Sequence, residues 1–439
     1  MGRSQQPRPS GNFLRVPGCS PLWLLLLLAL GLPVTALAQE KQPQPATQKA
    51  QPEVDAFPPN PLELTAPDPL LPDSKRPLTG AERQQLGLAL DQLNAQAAAE
   101  FKAGRKLPAF DIWNRELRLR RFLGPVVEIE ALGRVGDIAW NETQTTQVRW
   151  ITKRLDEMFA QAQATTPNLN LDKAPTGVPP IDASNRPAVL EALGVAYQQV
   201  RLPETAIVIY QQILAEARQR KDAKKIEATL LTLGQLNLDW FDYVRAADAY
   251  RELLAIAQAK KDTQNQVVYL NQLAFVSEQA KQPQAAIEYQ QQLVTLYQAL
   301  NTPQPIPALK IRIGDNYQLL SRPDLAEQNY QTAYQLAQPL VQLAYAADAL
   351  QKLGALYRSN DRLDAAIRVY DFLIGVEQQA YNLYGVMNAY DQLGQIYLSR
   401  QAYPQALTAF QRGLGVARQL KYREDYFLAQ LQQIPPASR

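Results

Sequence analysis

Residues 390–410 read YDQLGQIYLSRQAYPQALTAF, and this stretch decides the fold because its spacing recurs along the chain. Within it, Gly394 is followed twelve positions later by Ala406. The same pairing occurs six times at a spacing of forty residues, as Gly194/Ala206, Gly234/Ala246, Ala274/Ala286, Gly314/Ala326, Gly354/Ala366 and Gly394/Ala406. A fixed period of this length indicates a repeat array, in which each unit buries its apolar face against its neighbours.

Leucines and aromatic residues surround these small residues at fixed offsets. The first, fifth and sixth units carry the fullest sets, which are Leu190, Leu193, Tyr197 and Tyr210; Leu350, Leu353, Tyr357 and Tyr370; and Tyr390, Leu393, Tyr397 and Phe410. Small residues let two antiparallel helices approach closely, and the larger side chains fill the groove around that contact. The pattern therefore predicts an all-α fold of helix-turn-helix pairs.

Prolines support this division into helix pairs. Pro203, Pro283 and Pro323 each follow the small residue of their unit by nine positions, and Pro404 follows by ten. Proline is tolerated at the start of a helix, where its missing N–H would have no partner. Each proline therefore predicts the beginning of a second helix.

The third unit departs most from the pattern. It has Ala274 in place of glycine, Ser277 in place of tyrosine and Gln290 in place of the aromatic residue. The remaining spacing is intact, so we expect the fold to tolerate these changes.

This packing pattern resembles that of the tetratricopeptide repeat family, and the resemblance covers residues 188–421 as six repeats. The family's usual period is about 34 residues, so a period of forty predicts longer helices. The resemblance implies a TPR-like α-solenoid that binds a protein or peptide partner, as a scaffold, adaptor or assembly factor. It also implies that the first helix of each pair lines a concave groove.

Positions on the first helices that do not carry packing residues are therefore the candidates for partner binding. The candidates are Glu191, Gln198, Gln235, Asn271, Phe275, Glu278, Asp315, Gln318, Gln351, Arg358, Asp391 and Gln395. Apolar residues such as Val195, Leu231 and Val268 dominate the first half of this lining, whereas acids and amides dominate the second. This predicts a ligand with apolar anchors and a basic or amide-rich segment. Among the lining residues, Phe275 is the sharpest candidate for contacting it, because aromatic residues are frequent hot spots.

The groove lacks one well-known feature of the family. A clamp for a C-terminal carboxylate needs several Lys or Arg residues, and Arg358 is the only cation in this predicted lining. A cytosolic chaperone-tail adaptor is therefore disfavoured.

The N-terminus carries the features of an export signal. Arginines precede an apolar run at 21–34, and Ala36-Leu37-Ala38 then offers a small-residue cleavage site. We predict cleavage after Ala38, and the alternative is an uncleaved signal that tethers the protein to a membrane. The segment 110–142 looks like stretches of exported cyanobacterial repeat proteins, which implies the periplasm or thylakoid lumen.

Proline-rich stretches divide the rest of the chain. The predicted order is a signal peptide at 1–38, a Pro-rich linker at 39–78, a helical N-terminal domain at 79–165, a second Pro-rich linker at 166–187, the solenoid at 188–421, and a C-terminal capping helix and tail at 422–439. Within the N-terminal domain we expect a first helix that runs to Lys106 and is ended by Pro108. Its helices either pack on one end of the solenoid or are tethered beside it.

Composition excludes several kinds of chemistry. The chain has no histidine and one cysteine, Cys19, which precedes the predicted cleavage site. Zinc sites and catalytic triads built on these residues are therefore excluded. Catalysis by carboxylates would depend on residues such as Glu128 and Glu130, which would point in different directions on one helix, and no glycine-rich phosphate loop occurs. We predict that the protein is not an enzyme and uses no cofactor or metal.

Charge narrows the range of partners. A net charge of +3 over 439 residues predicts no strong field for nucleic acid. The alternative to a purely protein-binding role is that a basic helix contacts lipid or an acidic partner, through Arg115, Arg118, Arg120 and Arg121. Pairing with the local acids Glu116 and Asp111 is the simpler expectation for these arginines. The sequence does not specify an oligomeric state.

Overall fold

The computed structural model describes residues 58–64, 67–72, 76–164 and 177–435. The chain divides into two units, Met1–Pro58 and Pro59–Arg439. The predicted signal peptide, most of the first linker, half of the second linker and the last four residues lie outside the described residues. The described ranges contain α-helices and two short 3-10 helices, and they contain no strand.

Helices follow one another with short turns from residue 80 onward. They are α1 Gly80–Lys102, α2 Lys106–Arg120, α3 Pro125–Asn141, α4 Thr145–Gln163, α5 Arg186–Gln199, α6 Pro203–Gln219, α7 Ala223–Asp239, α8 Tyr243–Ala259, α9 Thr263–Gln279, α10 Pro283–Ala299, α11 Ile306–Leu319, α12 Pro323–Ala337, α13 Leu343–Ser359, α14 Leu363–Gln379, α15 Leu383–Ser399, α16 Tyr403–Leu420 and α17 Glu424–Gln432. The six predicted units are the successive pairs from α5–α6 to α15–α16, and α17 follows the last of them. The predicted all-α repeat solenoid is confirmed.

Close approach of the two helices in a unit explains the small residues. A Cβ atom added to Gly194 would lie 2.8 Å from the ring of Tyr210, and one added to Gly354 would lie 2.7 Å from the ring of Tyr370. Each ring belongs to the second helix of the same unit, so glycine makes room for the aromatic residue. Pro203, Pro283 and Pro323 begin α6, α10 and α12, as their spacing predicts.

The turns of the solenoid divide the forty-residue period in half. Most helices have seventeen residues, and three residues separate α7 from α8. Each turn contains a residue with a positive φ, and these residues are Arg201, Lys221, Phe241, Lys261, Lys281, Asn301, Ser321, Val341, Asp361, Tyr381, Gln401 and Lys421. Glycine favours this conformation, yet none of these twelve residues is a glycine. Backbone bonds close the turns instead, as where the N–H of Asp242 donates to the carbonyl of Asn237 at 2.8 Å.

Helices α3 and α4 pack against α5 at the first end of the solenoid, α2 packs on α3, and α1 packs on α2. The glycines Gly133 and Gly136 of α3 face Ala196 and Val200 of α5. The hydroxyl of Tyr197 donates to Asp156 of α4 at 2.6 Å. Buried side chains from α2, α3 and α4 join those of the first repeats in one continuous hydrophobic core. Of the two predicted arrangements, the packed one is therefore observed.

Two helix boundaries differ from the predictions. Helix α1 ends at Lys102, and Gly104 follows with a φ of 81°. Pro108 does not end this helix but lies in the first turn of α2, where a missing N–H is tolerated. The first helix of the solenoid begins at Arg186, two residues earlier than the predicted boundary at 188.

No helix in the described ranges combines the length and the apolar character that a bilayer span requires.

Candidate functional site

The predicted partner-binding residues lie on α5, α7, α9, α11, α13 and α15. Ion pairs join neighbouring helices of this set, as between Lys225 of α7 and Glu191 of α5 at 2.6 Å. Lys352 Nζ likewise lies 3.0 Å from Asp315 Oδ1. Because these pairs connect consecutive first helices, the helices lie side by side. We call the surface formed by the twelve candidates, together with Val195, Leu231 and Val268, the first-helix face.

Most polar candidates on this face already have partners within the chain. Besides the two ion pairs, the contacts are Gln198 with the Tyr210 hydroxyl, Gln235 with Asp239, Asn271 with the Val267 carbonyl, Gln318 with the Tyr330 hydroxyl, and Arg358 with Gln392. A ligand would have to displace or share these hydrogen bonds. The side chain of Gln351, unlike those of the other polar candidates, makes no hydrogen bond to the rest of the described chain.

Glu278 belongs to a polar cluster between the third and fourth units, in which Gln290 and Asn316 are buried and Glu278 and Arg312 are half-buried. Arg312 binds its carboxylate through two hydrogen bonds, of 3.1 and 2.7 Å. Gln290, which is fully buried, donates to Glu278 at 2.6 Å and accepts from Asn316 at 3.1 Å. The departures in the third unit therefore form a polar seam whose groups satisfy one another. Glu278 therefore has a structural role in this seam, and its role in partner binding stays a prediction.

The C-terminal segment that contains α17 contacts two further candidates, Asp391 and Gln395. Asp391 is only 6% exposed, since the side chains of Arg423 and Tyr426 bind it at 3.1 and 2.8 Å. Gln395 donates to Gln430 of α17 at 2.9 Å. Helix α17 therefore covers the first-helix face of the sixth unit, and Asp391 is closed to a partner. The forty-residue pattern gave no signal for this contact, because α17 does not repeat the spacing of the six units.

Apolar side chains remain exposed at the other end of the face. Val195 and Leu231 are each 48% exposed, Val268 is 44% exposed and Phe275 is 41% exposed. These residues lie on three consecutive first helices, α5, α7 and α9. We call them the apolar patch. The sequence had indicated an apolar first half of the lining, and the exposure of these four side chains agrees with it.

Carboxylates of the N-terminal helices are buried in ion pairs. Glu128 is 2% exposed, and Arg154 binds both its oxygens at 2.7 and 3.1 Å. Burial lowers the pKa of the Arg154 guanidinium, but the charge and hydrogen bonds of Glu128 outweigh burial and raise that pKa overall. Glu130, by contrast, is exposed. The two carboxylates therefore do not share a cleft.

The arginines of the predicted basic helix are also paired. Arg115 Nε lies 2.8 Å from Asp68, and Arg118 approaches the same carboxylate at 3.6 Å. Arg120 pairs with the buried Glu116, as expected, whereas Asp68 and not Asp111 is the partner of Arg115. Arg121 is buried and donates to the carbonyl of Leu62 at 2.7 Å. These arginines stabilise the N-terminal helices and do not form a free basic face.

Within the described part of the chain, no group of three or more acidic residues or cysteines is arranged to hold a metal ion. No protein-family profile matches the chain, and no curated protein sequence matches it.

Solved structures of other helical repeat proteins are similar to this chain. BtubC (BKLC) from P. vanneervenii is 20% identical with a TM-score of 0.37, over 50% of this chain and 92% of that one. A MamA protein is 22% identical with a TM-score of 0.34, over 44% of this chain and 92% of that one. A STAND protein with a tetratricopeptide repeat sensor, from Pyrococcus horikoshii, is 14% identical with a TM-score of 0.33, over 81% of this chain and 53% of that one. At these values the comparisons carry no argument about function. The class of the protein follows from its own helices: it is an all-α, TPR-like solenoid of helix-turn-helix repeats.

Proposed function

We propose that this protein is a scaffold that binds a segment of another protein on the first-helix face of its first three units. The observation that carries the proposal is the apolar patch, in which four half-exposed apolar side chains lie on three consecutive helices. Single exposed apolar residues are ordinary on protein surfaces, whereas several on adjacent helices of one face indicate a site of interaction. Within the patch, Phe275 offers the largest side chain to bury.

The neighbouring polar residues define the edge of this site. Gln198 and Gln235 flank the apolar patch, and both take part in hydrogen bonds within the chain. An apolar centre with a polar rim is the usual composition of a protein interface. The partner segment would be an amphipathic helix or an extended strand that inserts two or three apolar side chains.

The proposal involves no catalytic step. Glu128, one of the carboxylates on which a hydrolase would depend, is buried against Arg154. Asp137 lies 3.5 Å from Arg201 at the junction of α3 and α5. A hydrolase would instead lose activity on substitution of Glu128, Glu130 or Asp137 in a chain that still folds.

We propose further that the scaffold works after export, as an adaptor or assembly factor in the periplasm or, in a cyanobacterium, the thylakoid lumen. The support is the sequence of residues 1–38. The alternative is a protein tethered to the membrane by an uncleaved signal, with lipid contact through the N-terminal helices. Pairing of Arg115, Arg118 and Arg120 leaves that contact without a free basic face. Fractionation with N-terminal sequencing decides, since a soluble chain that begins at Gln39 rules out the tether.

The binding site is tested by site-specific photo-crosslinking. A photoreactive amino acid at position 275 should capture a partner in cells of the source organism, whereas the same group at position 208 should not. Val208 lies on α6, on the second helix of the first unit, and is 51% exposed, which matches the exposure of the patch residues.

The captured partner is then purified and its affinity is measured. The double variant Leu231→Asp/Phe275→Asp should bind at least about tenfold more weakly, a loss of about 1.4 kcal/mol. The control Val208→Asp should bind as the wild type does. Equal capture from both positions, or unchanged affinity of the double variant, would contradict the proposed site.

A further inference from the structure

A cleft lies between α14, α15 and α16, where the fifth unit meets the sixth. Its volume is about 310 Å³, and its lining includes Asp371, Tyr390, Tyr397 and Arg412. Asp371 belongs to the second helix of the fifth unit, so the cleft is separate from the apolar patch. Its size is at the lower end of the range for small-molecule sites.

The repeats provide an internal comparison for this cleft. At two earlier junctions a glutamine on the second helix of one unit reaches a tyrosine on the first helix of the next. Gln291 donates to the Tyr317 hydroxyl at 3.5 Å, and Gln331 donates to the Tyr357 hydroxyl at 3.0 Å. Forty residues further on, the equivalent pair is Asp371 and Tyr397. A carboxylate has replaced the amide at this junction alone among the three.

The groups that close the preceding junction are also missing here. Tyr357 donates to Glu327 at 2.7 Å, and Arg362 pairs with the same carboxylate. The equivalents of Glu327 and Arg362 in the next unit are Ile367 and Ala402, which cannot form these bonds. As a result, the Tyr397 hydroxyl and the Asp371 carboxylate have no hydrogen-bond or ion-pair partner among the described residues.

A cation completes the lining of the cleft. The guanidinium of Arg412 lies 5.9 Å from the centre of the Tyr390 ring, and it forms no ion pair with a described residue. The equivalent residue in the fifth unit is Phe372, so this charge also belongs to the last junction. Asp371 and Arg412 are both exposed at the mouth of the cleft; partial desolvation raises the pKa of the Asp371 carboxyl, and the charge of Arg412 opposes that rise. The cleft thus holds an acid and a base that are near each other but not in contact.

We propose that this cleft binds a small zwitterion of the α-amino-acid class. The ammonium group would bind the Asp371 carboxylate beside the Tyr397 hydroxyl, and the carboxylate would bind the Arg412 guanidinium, whose forked donors match it. The side chain of the ligand would lie against the ring of Tyr390 and the apolar Leu393. The occupied cleft would add contacts between the fifth and sixth units at the position where Gln331 and Glu327 contact Tyr357 in the preceding junction.

Isothermal titration calorimetry of the full chain tests this site, with glycine, leucine, glutamate and lysine as probes. At least one amino acid should give saturable binding. Asp371→Asn and Arg412→Gln should each weaken that binding by tenfold or more. The matched control Arg322→Gln removes the same charge from an exposed turn of the fourth unit and should leave affinity unchanged.

Blocked and partial ligands test the requirement for both charges. N-acetylglycinamide, which is neutral, should bind at least tenfold more weakly than glycine, and methylammonium and acetate should each bind more weakly as well. Far-ultraviolet circular dichroism checks that the variants remain folded. The proposal fails if none of the four amino acids binds, if both variants bind as the wild type does, or if N-acetylglycinamide binds as tightly as glycine.

Discussion

The turn residues of the solenoid with a positive φ are not glycines, so their backbone conformation reduces the stability of the fold. Single substitutions can measure this cost. Val341 has a φ of 55° and is 76% exposed, so it combines an unfavourable backbone with few side-chain contacts. A β-branched residue in this conformation is a true outlier, and its cost is about 1–2 kcal/mol.

We therefore predict that Val341→Gly raises the free energy of unfolding by about 1 kcal/mol. Urea denaturation measures the change. The control is Val244→Gly, because Val244 is also exposed but lies within helix α8, where glycine should destabilise by about 1 kcal/mol. A fall in stability for Val341→Gly would contradict this account of the turns.

Glu377 is a buried carboxylate on α14 whose ionisation opposes folding. It is 5% exposed, and Asn382 donates to it at 2.8 Å. Burial raises the pKa of Glu377, and the hydrogen bond from Asn382 only partly offsets that rise. The folded state then holds the proton more tightly than the unfolded state, so stability falls as the pH rises through the interval between the two pKa values.

Glu377→Gln removes this ionisation and should raise the melting temperature at pH 7 relative to the wild type. The difference should shrink as the pH is lowered toward 4, because the wild-type carboxyl then carries its proton in both states. Thermal unfolding at a series of pH values measures both effects. Glu288→Gln, at an exposed position of α10, should show no such pH-dependent gain. An equal effect at pH 4 and pH 7 would rule out ionisation as the cause.

At the scale of the helix, two glycines have different effects on stability. One is required by close packing, and the other only lowers the helix propensity of its segment. Gly354 of α13 faces the ring of Tyr370, whereas a Cβ added to Gly375 of α14 would meet no atom within 4 Å. Gly354→Ala should destabilise the protein, because the ring must move to admit a methyl group. Gly375→Ala should stabilise it by about 0.5–1 kcal/mol, since alanine is the better helix former. Chemical denaturation of the two variants measures these opposite signs, and a gain for Gly354→Ala would refute the close-packing role.

The polar seam between α9, α10 and α11 makes a prediction that the repeat pattern alone would get wrong. The pattern favours an apolar residue at position 290, yet Gln290 satisfies both Glu278 and Asn316. Gln290→Leu would remove one hydrogen bond each from Glu278 and the buried Asn316, so we expect a loss of about 1–3 kcal/mol. Urea denaturation measures it against Gln292→Leu, an exposed substitution on the same helix. Equal stability of the two variants would show that the seam is not an interdependent network.

Much of the fold could be predicted at this scale, and the exceptions have physical causes. The prolines that begin α6, α10 and α12 have a local preference that needs no tertiary information. Pro108 was misplaced because a proline that follows a helix and one in the first turn of the next helix look alike in sequence. The partners of Gln290 could not be predicted, because they come from two other helices.

At the scale of the molecule, the ends of the solenoid are closed by different helices. Helices α3 and α4 share the core of the first unit, whereas α17 covers the last one and packs Phe427 against Gly413. The candidate binding residues follow from the same nearest-neighbour arrangement. Sequence spacing placed all of them on first helices, but it could not show that Asp391 lies beneath α17. Phe275 is 41% exposed, so no neighbouring helix covers it fully.

Deletion of residues 422–439 should therefore loosen one end of the molecule only. Amide hydrogen exchange should accelerate first in α15 and α16, which lose the contacts of Phe427 and Tyr426, while α5 to α8 keep their protection. Mass spectrometry of exchange in the full and shortened chains measures the gradient. Uniform acceleration along the whole solenoid would contradict independent closure of its two ends.

The even spacing of the left-handed turns provides regularly placed positions for labels along the chain. Twelve such residues lie twenty positions apart, and alternate members fall on opposite edges of the helix layer. The described residues contain no cysteine. Two cysteines, one introduced at each of two turns, would therefore be the only thiols in that part of the chain. Distances between labels along one edge would then report bending of the solenoid, and distances across it would report twist, when a partner or a small ligand binds.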